Sequence, residues 1–550
     1  MSLFGSLYTG ASGIQTGQNA LNTIAHNLAN AGTVGYTRQQ IALTDRNYNT
    51  LSVNPKAAAN KQVGLGVTYA EVRQVRDSFL DQTYRKEAGR SIFYEVSYNT
   101  LTEVETLLGE LNGESFSNSI KNMWEAVQEL SKEPASSVTQ GLLIQRCCQF
   151  VEQANNVYSA LSNYQDNLNQ QVKGYVDKIN SYANRLYDLN NSIIKIECGG
   201  VEKANDLRDE RNQLLDELGK LGNITYAEDL DGGVSVKFED HILVNRAQTF
   251  EIGVDTDPDT GFYTPYWQLD AKKLPQENGT VKYDISNCKL YDMTRVISTE
   301  CDTDVGGLKA TLLARGDHRA NFTDLEDATE YNETISSSII MNVQAEFDNL
   351  IHNIVTQMNG VLEEAAVKEG APYLRNEDGT ILQLFERISS DEYDAAGDLI
   401  REDLSPGNEN TLFTIGNLVV NADLIKEPTR LGFIKNDSKE DFAVAVALQQ
   451  VFEKKEYTLN PNVTTKSNLV DYYSNIVSQV ANTGSVFKSV YENEQTTVAS
   501  TDNARQQIVG VSDDEELNNM IKFQNAYNAA SRYINVIDEM LEHILTTLGR

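Results

Sequence analysis

Few residues in this chain have the types and spacing that chemistry requires. Its five histidines are His26, His241, His318, His352 and His543, and none stands in the H-E-x-x-H spacing of a zincin. The five cysteines, Cys147, Cys148, Cys198, Cys288 and Cys301, contain no C-x-x-C pair, so neither a zinc nor a redox motif is present. Cys288 with Cys301 is the one spacing compatible with a disulfide. No G-x-S-x-G elbow and no G-x-x-x-x-G-K-[ST] loop occurs. "DTDPDTG", Asp255 to Gly261, approaches a calcium loop, but its glycine falls one place late and its twelfth position is Tyr266, so it reads as a turn. "NDLRDERNQLLDEL", Asn205 to Leu218, gathers Asp206, Asp209 and Glu210 with Arg208 and Arg211. Paired carboxylates can move protons, but mixed signs at helical spacing mark a packed or solvated helix face. His26 lies on a helix edge and reads as structural. The chain is expected to be no enzyme and to hold no metal or cofactor.

The elements around these residues are more informative. From Met1 to Thr37 there is no Asp, Glu, Lys or Arg. Leu3, Leu7, Ala11, Ile14, Gln18, Leu21, Ala25 and Leu28 follow each other by threes and fours, with Ile24 widening the stripe, which predicts an amphipathic helix ended by Gly32 and Gly35. The last forty residues mirror it. Ser512 and Glu515 have the spacing of a capping box, and Asp513, Asp514 and Glu516 favour the positive helix end. The stripe then runs Leu517, Met520, Gln524, Tyr527, Ser531 and Ile534, skips a beat, and continues Ile537, Leu541, Ile544 and Leu548. That is a coiled-coil seam with one local overwinding. Isolated helices of this kind are marginal, so the two ends are expected to pair.

At 550 residues several domains are required. A net charge of -33 argues against nucleic acid and anionic membranes as partners. No apolar run is long enough to span a bilayer, and the N-terminus lacks the features of a cleaved signal peptide. The expected architecture is α+β and multidomain, with paired N- and C-terminal coiled-coil helices, a long helical-bundle inner domain and inserted β-rich outer domains. Its expected segments are 1–36 and 512–550 for the terminal helices, 37–80 for a linker or hairpin, and 81–222, 305–368 and 436–511 for the helical domain. Residues 223–304 form a β-rich outer domain and 369–435 a mixed outer domain.

Five blocks of this sequence resemble the family of flagellar hook-associated junction proteins. "HNLANAGTVGYTRQ" is similar to the signature of flagellar rod, hook and junction proteins at Asn27, Ala29, Asn30, Gly35 and Tyr36, with Leu28 in place of Ile and Val34 in place of Pro. Thr37-Arg38-Gln39 resembles the junction proteins in particular. "VGLGVTYAEVRQVRDSFLDQTYR", "NDLRDERNQLLDELGKL" and "GGLKATLLARGD" carry the likeness through the middle, and "GVSDDEELNNMIKFQNAYNAASRYI" carries it at the end. The resemblance implies a structural protein, exported unfolded by the flagellar type III apparatus without a cleaved signal and placed in the extracellular flagellum. It implies a ring of copies between the hook protein below and a second junction protein and the filament above, with an export chaperone on the C-terminal region. The alternatives are a hook or distal-rod protein, which lacks the long helical region, or a secreted adhesin acting through its acidic middle.

Overall fold

The computed structural model describes residues 3–46, 49–52, 61–109, 115–200, 202–275, 281–368, 372–405 and 407–548. The chain opens with α1 (Leu3–Ala29), then β1 (Gln39–Asp45), β2 (Asn49–Ser52), β3 (Lys61–Val63) and β4 (Val67–Gln74). Four long helices follow: α2 (Ser78–Leu108), α3 (Phe116–Lys132), α4 (Ser137–Glu197) and α5 (Asn205–Leu221). The strands are β5 (Ile224–Glu228), β6 (Val234–Phe238), β7 (His241–Val244), β8 (Ile252–Thr256), β9 (Tyr263–Trp267), β10 (Lys272–Pro275) and β11 (Val281–Asp284). Then come α6 (Gly307–Arg315), α7 (Ala328–Glu330), α8 (Ile339–Val367), β12 (Phe385–Arg387), β13 (Leu418–Val420), α9 (Ala422–Lys426), α10 (Phe442–Glu453), α11 (Leu469–Val509) and α12 (Asp513–Leu548).

Local chemistry sets the helix ends. Ser115 caps α3 by accepting the Asn118 N–H at 3.2 Å, and Pro134 follows its last residues. α4 and α5 are separate helices, because Gly199 and Gly200 interrupt the stretch and Gly200 adopts a positive φ of 65°. β1 and β4 pair antiparallel with a bulge at Ala42/Leu43, and β5, β6 and β7 make a three-stranded antiparallel meander.

The chain divides into two compact units, each assembled from separated segments. Unit 1 is Met1–Ser91, Lys178–Ile252 and Glu494–Arg550; unit 2 is Ile92–Asp177 and Gly253–Asn493. The β-rich block is therefore shared: β5 to β7 belong to unit 1, and β9 to β11 belong to unit 2. Charge is shared very unevenly. Unit 1 has 22 Lys and Arg against 28 Asp and Glu, a net -6, whereas unit 2 has 24 against 51, a net -27.

Unit 2 is built around α8, whose inward residues Phe347, Leu350, Ile351, Ile354 and Met358 are buried. Phe116 meets Phe347 and Tyr473 edge-on, each at 4.9 Å between ring centres. The segment 369–435 is expected to be a mixed outer domain. Its described part instead shares this core through Leu384, Phe385, Ile415, Leu418, Leu424 and Phe433. Two polar residues of α8 bind it there. Asn359 exchanges hydrogen bonds with the backbone of Leu384 and Phe385. Asp348 accepts the Ile415 N–H at 2.7 Å and the Phe322 N–H at 3.0 Å, while burial pushes its carboxyl up to about 7.

"DTDPDTG" is the turn between β8 and β9, closed by the Gly261 N–H donating to the Asp257 carbonyl at 2.8 Å. All five cysteines are free thiols, so Cys288 and Cys301 form no disulfide; Cys288 is buried while Cys301 is exposed.

Candidate functional site

In unit 1, α1 and α12 pack against each other antiparallel, and the face that joins them on α1 is made of small residues. A Cβ on Gly10 would lie 2.7 Å from Ile534 Cγ1, one on Gly13 3.1 Å from Ala530 Cβ, and one on Gly17 3.3 Å from Tyr527 Cβ. Ala20, Ile24 and Asn27 continue the same row and are buried. The apolar stripe expected to make this contact lies beside it. Leu7, Ile14, Leu21 and Leu28 are half-buried flank residues, and Ala11, Gln18 and Ala25 are exposed. The reason is distance: glycine lets two helix backbones approach closely, which leucine prevents. Of the expected α1 residues that are described, Ile24 and Asn27 are the buried ones on this row. The side chain of Leu3 lies outside the described residues.

The α12 seam is also corrected. Its inward residues are Glu516, Met520, Phe523, Tyr527, Ala530, Ile534, Ile537 and Leu541, an unbroken alternation of four and three. The skipped beat came from starting the stripe at Leu517, which is 46 % exposed. A charged residue, Glu516, occupies the true first position, so apolarity gave the wrong phase there. Gln524 is exposed and Ser531 half-buried, while Ile544 is exposed and the side chain of Leu548 lies outside the described residues. Outside the seam, α12 carries Leu517, Ile521, Val536, Met540 and Leu545, all exposed.

Glu516 is buried because polar partners surround it. Its Oε2 accepts from Asn27 Nδ2 at 3.1 Å and its Oε1 from Arg38 Nε at 2.8 Å. Arg38 NH1 also reaches Glu515 at 2.9 Å, and the Arg38 N–H donates to the Val509 carbonyl at 2.8 Å. The capping box is therefore half made. The Glu515 N–H approaches Ser512 Oγ at 3.5 Å, and the Glu515 carboxylate is engaged by Arg38.

The turn after α1 folds back on Asn27. Its Oδ1 accepts from Tyr36 OH at 2.7 Å and from the Gln39 N–H at 3.0 Å, and its Nδ2 donates to the Gln39 carbonyl at 2.9 Å. α1 ends at Ala29, where Asn30 Nδ2 donates to the His26 carbonyl at 3.0 Å. Gly32 has open space around it, whereas Gly35 is required by its positive φ of 82°. His26 packs edge-on to Tyr36 at 5.6 Å. Burial, with Asp209, Asp206 and Glu516 nearby, pushes the Tyr36 phenol up.

The acidic block on α5 serves the same junction. Asp209 accepts the Thr37 N–H at 3.2 Å and Gln74 Nε2 at 2.7 Å, and burial raises its carboxyl. Glu210 pairs with Arg185 at 2.7 Å, and Asp216 receives Arg85 and Arg505, each at 2.7 Å. Arg208 grips Glu197 with two nitrogens at 2.7 and 2.9 Å; burial opposes charge on Glu197, but Arg208 and the Ala204 N–H outweigh it and hold the carboxyl down to about 2. Of these carboxylates Asp209 holds the arm after α1, while the others tie α5 to α4, α2 and α11. Among the described residues no group of three or more His, Cys, Asp or Glu could hold a metal ion, and no helix is long and apolar enough to cross a membrane. Reasoning from apolarity missed Glu516, Gly10, Gly13 and Gly17; the repeat of glycines by threes and fours was the available signal.

Three family models match the chain in separate stretches. Residues 101–372 match the helical domain of flagellar hook-associated protein FlgK. Residues 7–37 match the flagella basal body rod protein, and residues 506–547 match the C-terminal part of the flagellar basal body rod FlgEFG proteins. These last two are the segments that pair as α1 and α12. Flagellar hook-associated protein 1 of Bacillus subtilis is 26 % identical over 552 residues, covering 100 % of this chain and 99 % of that protein. The protein of the same name from Salmonella typhimurium is 24 % identical, covering 97 % of this chain and 98 % of its own length. The flagellar hook junction protein FlgK from Burkholderia pseudomallei shares the fold, with a TM-score of 0.53 at 12 % identity over 78 % of this chain and 100 % of that one. The chain thus belongs to the flagellar hook-associated protein 1 family, structural proteins of the bacterial flagellum.

Proposed function

We propose that the paired ends of this chain are its assembly element, and that copies join through them into a ring at the junction of hook and filament. The observation that carries this reading is the apolar surface that α12 leaves uncovered on both flanks of its seam. Leu517, Ile521, Val536, Met540 and Leu545 stay exposed although α12 already has a partner in α1. Covering one such side chain is worth ~1.5–3 kcal/mol, so these exposed residues favour association. Charge supports the same division of labour. Unit 1, at -6, can approach its copies, while unit 2, at -27, repels them and keeps to solvent.

Hook protein on one side and a second junction protein followed by filament on the other are the neighbours this role requires. The chain reaches that place through the flagellar export apparatus, with a chaperone covering the exposed apolar side chains of α12 before export. It acts as a structural part and not as an enzyme: the acidic groups of unit 1 that would serve proton transfer are held in ion pairs and backbone hydrogen bonds.

Val536→Asp tests the reading, since Val536 is 47 % exposed and lies outside the seam. The variant should leave hydrogen exchange of α1 unchanged yet be absent from flagella, with filament subunits shed into the medium. Flagella that carry the variant at the wild-type level would overturn it.

A further inference from the structure

We infer that Glu516 sets the register of the two terminal helices, acting as a positioning residue for the paired element; this rests on the pairing itself, as proposed above. The apolar part of the seam does not define one register. Sliding α1 by seven residues toward the C-terminal end of α12 would set Gly13 against Ile537, Gly17 against Ile534 and Ala20 against Ala530. A face of small residues receives those side chains as readily as the present ones. The connection does not forbid the slide either. Residues 30–36 are wound into turns and surround Gly32, which has open space. Seven extended residues span up to ~24 Å, whereas one heptad of helix is ~10.5 Å.

The polar level at the start of α12 does distinguish the two arrangements. In the register seen, all four hydrogen bonds named for the Asn27 amide are made, one of them to Glu516. After the slide Asn27 would face Phe523, and Glu516 would lose Asn27. The buried amide would lose its Glu516 partner and the buried carboxylate would keep Arg38 alone, losses that apolar contacts cannot replace. One polar pair within an apolar seam is the device that fixes register in coiled coils. Arg38 extends it to the chain that follows. It binds the Glu516 carboxylate at 2.8 Å through Nε, and its N–H holds the Val509 carbonyl at 2.8 Å. The same carboxylate therefore reads both α1 and the segment leaving it.

Disulfide trapping in the full chain, both purified and in flagella sheared from cells, tests the inference. Ala20→Cys with Phe523→Cys reports the register seen, and Ala20→Cys with Ala530→Cys reports the slid one; linked peptides are identified by mass spectrometry. With Glu516 present, only the 20–523 linkage should form. With Glu516→Leu both should form, the slid linkage reaching at least a tenth of the total. Glu516→Gln keeps an acceptor oxygen and should restore the single linkage. A Glu516→Leu chain giving only the 20–523 linkage overturns the inference. So does one giving neither linkage, which would assign Glu516 to pairing strength instead of register, or a Glu516→Gln chain that slides like Glu516→Leu. A wild-type chain giving neither linkage overturns the pairing itself, and the register with it.

Discussion

Adding one methyl group should have opposite effects at Gly10 and Gly174. Both glycines are helical, so replacement by Ala gains ~1 kcal/mol of helix propensity at either site. At Gly174, on an exposed face of α4, nothing lies within 4 Å of the new carbon. At Gly10 the carbon would sit 2.7 Å from Ile534 Cγ1 and 3.2 Å from Tyr533 Cδ1. Ile534 is branched at Cβ and stiff, so the helices must part. Overpacking of this kind costs ~1–3 kcal/mol, leaving Gly10→Ala roughly 1 kcal/mol unfavourable after the propensity gain. Hydrogen exchange with mass spectrometry reads each helix separately, which two compact units require. Amides of α1 should exchange ~5-fold faster in Gly10→Ala, and amides of α4 ~5-fold slower in Gly174→Ala, if local opening governs exchange. A Gly10→Ala chain whose α1 is as protected as wild type, or more so, would refute the close-packed seam.

Two further outcomes follow from unit 1. Glu197 is held down to about 2 by Arg208 and the Ala204 N–H, below its unfolded value of about 4.5. Its contribution is therefore present above pH 4.5 and lost as pH falls toward 2. Glu197→Gln should flatten the acid limb of unit 1 stability by ~1–2 kcal/mol once solvent screening is counted, seen in exchange of α5 amides between pH 5 and 2.5. Tyr36→Phe removes the donor to Asn27 Oδ1 and should cost ~1 kcal/mol, visible as faster exchange at Gln39 while α8 is unaffected.

The existence of the terminal helices and their pairing was legible in the sequence, because periodicity over thirty residues is a strong signal. The contact face was not. Hydrophobicity ranks Leu7, Ile14 and Leu21 above Gly10, Gly13 and Gly17, but the nearest approach of two helices selects by size. The same weighting displaced the start of the α12 seam by one residue, from Glu516 to Leu517. A carboxylate reads as surface until Asn27 and Arg38, 489 and 478 residues away in the chain, are known to meet it. The acids of α5 were rightly read as a helix face, though not as the anchor for Thr37. The segment 369–435 reads only as mixed in the sequence. Its irregular backbone is satisfied by Asn359 and Asp348 from α8, a tertiary arrangement that no local pattern announces.

The interleaving of the two units has a consequence for timing. Unit 2 closes at Asn493, whereas unit 1 needs α12, so a chain emerging N-terminus first can complete unit 2 while α1 still waits. Joining Gly10 to Ile534 in an otherwise unstructured chain carries a closure entropy of ~5 kcal/mol, growing with the logarithm of the intervening length. Once unit 2 has folded, most of that intervening chain has already lost its freedom, and the remaining cost is smaller. The α1–α12 pair, the element proposed for assembly, is thus the last part to form.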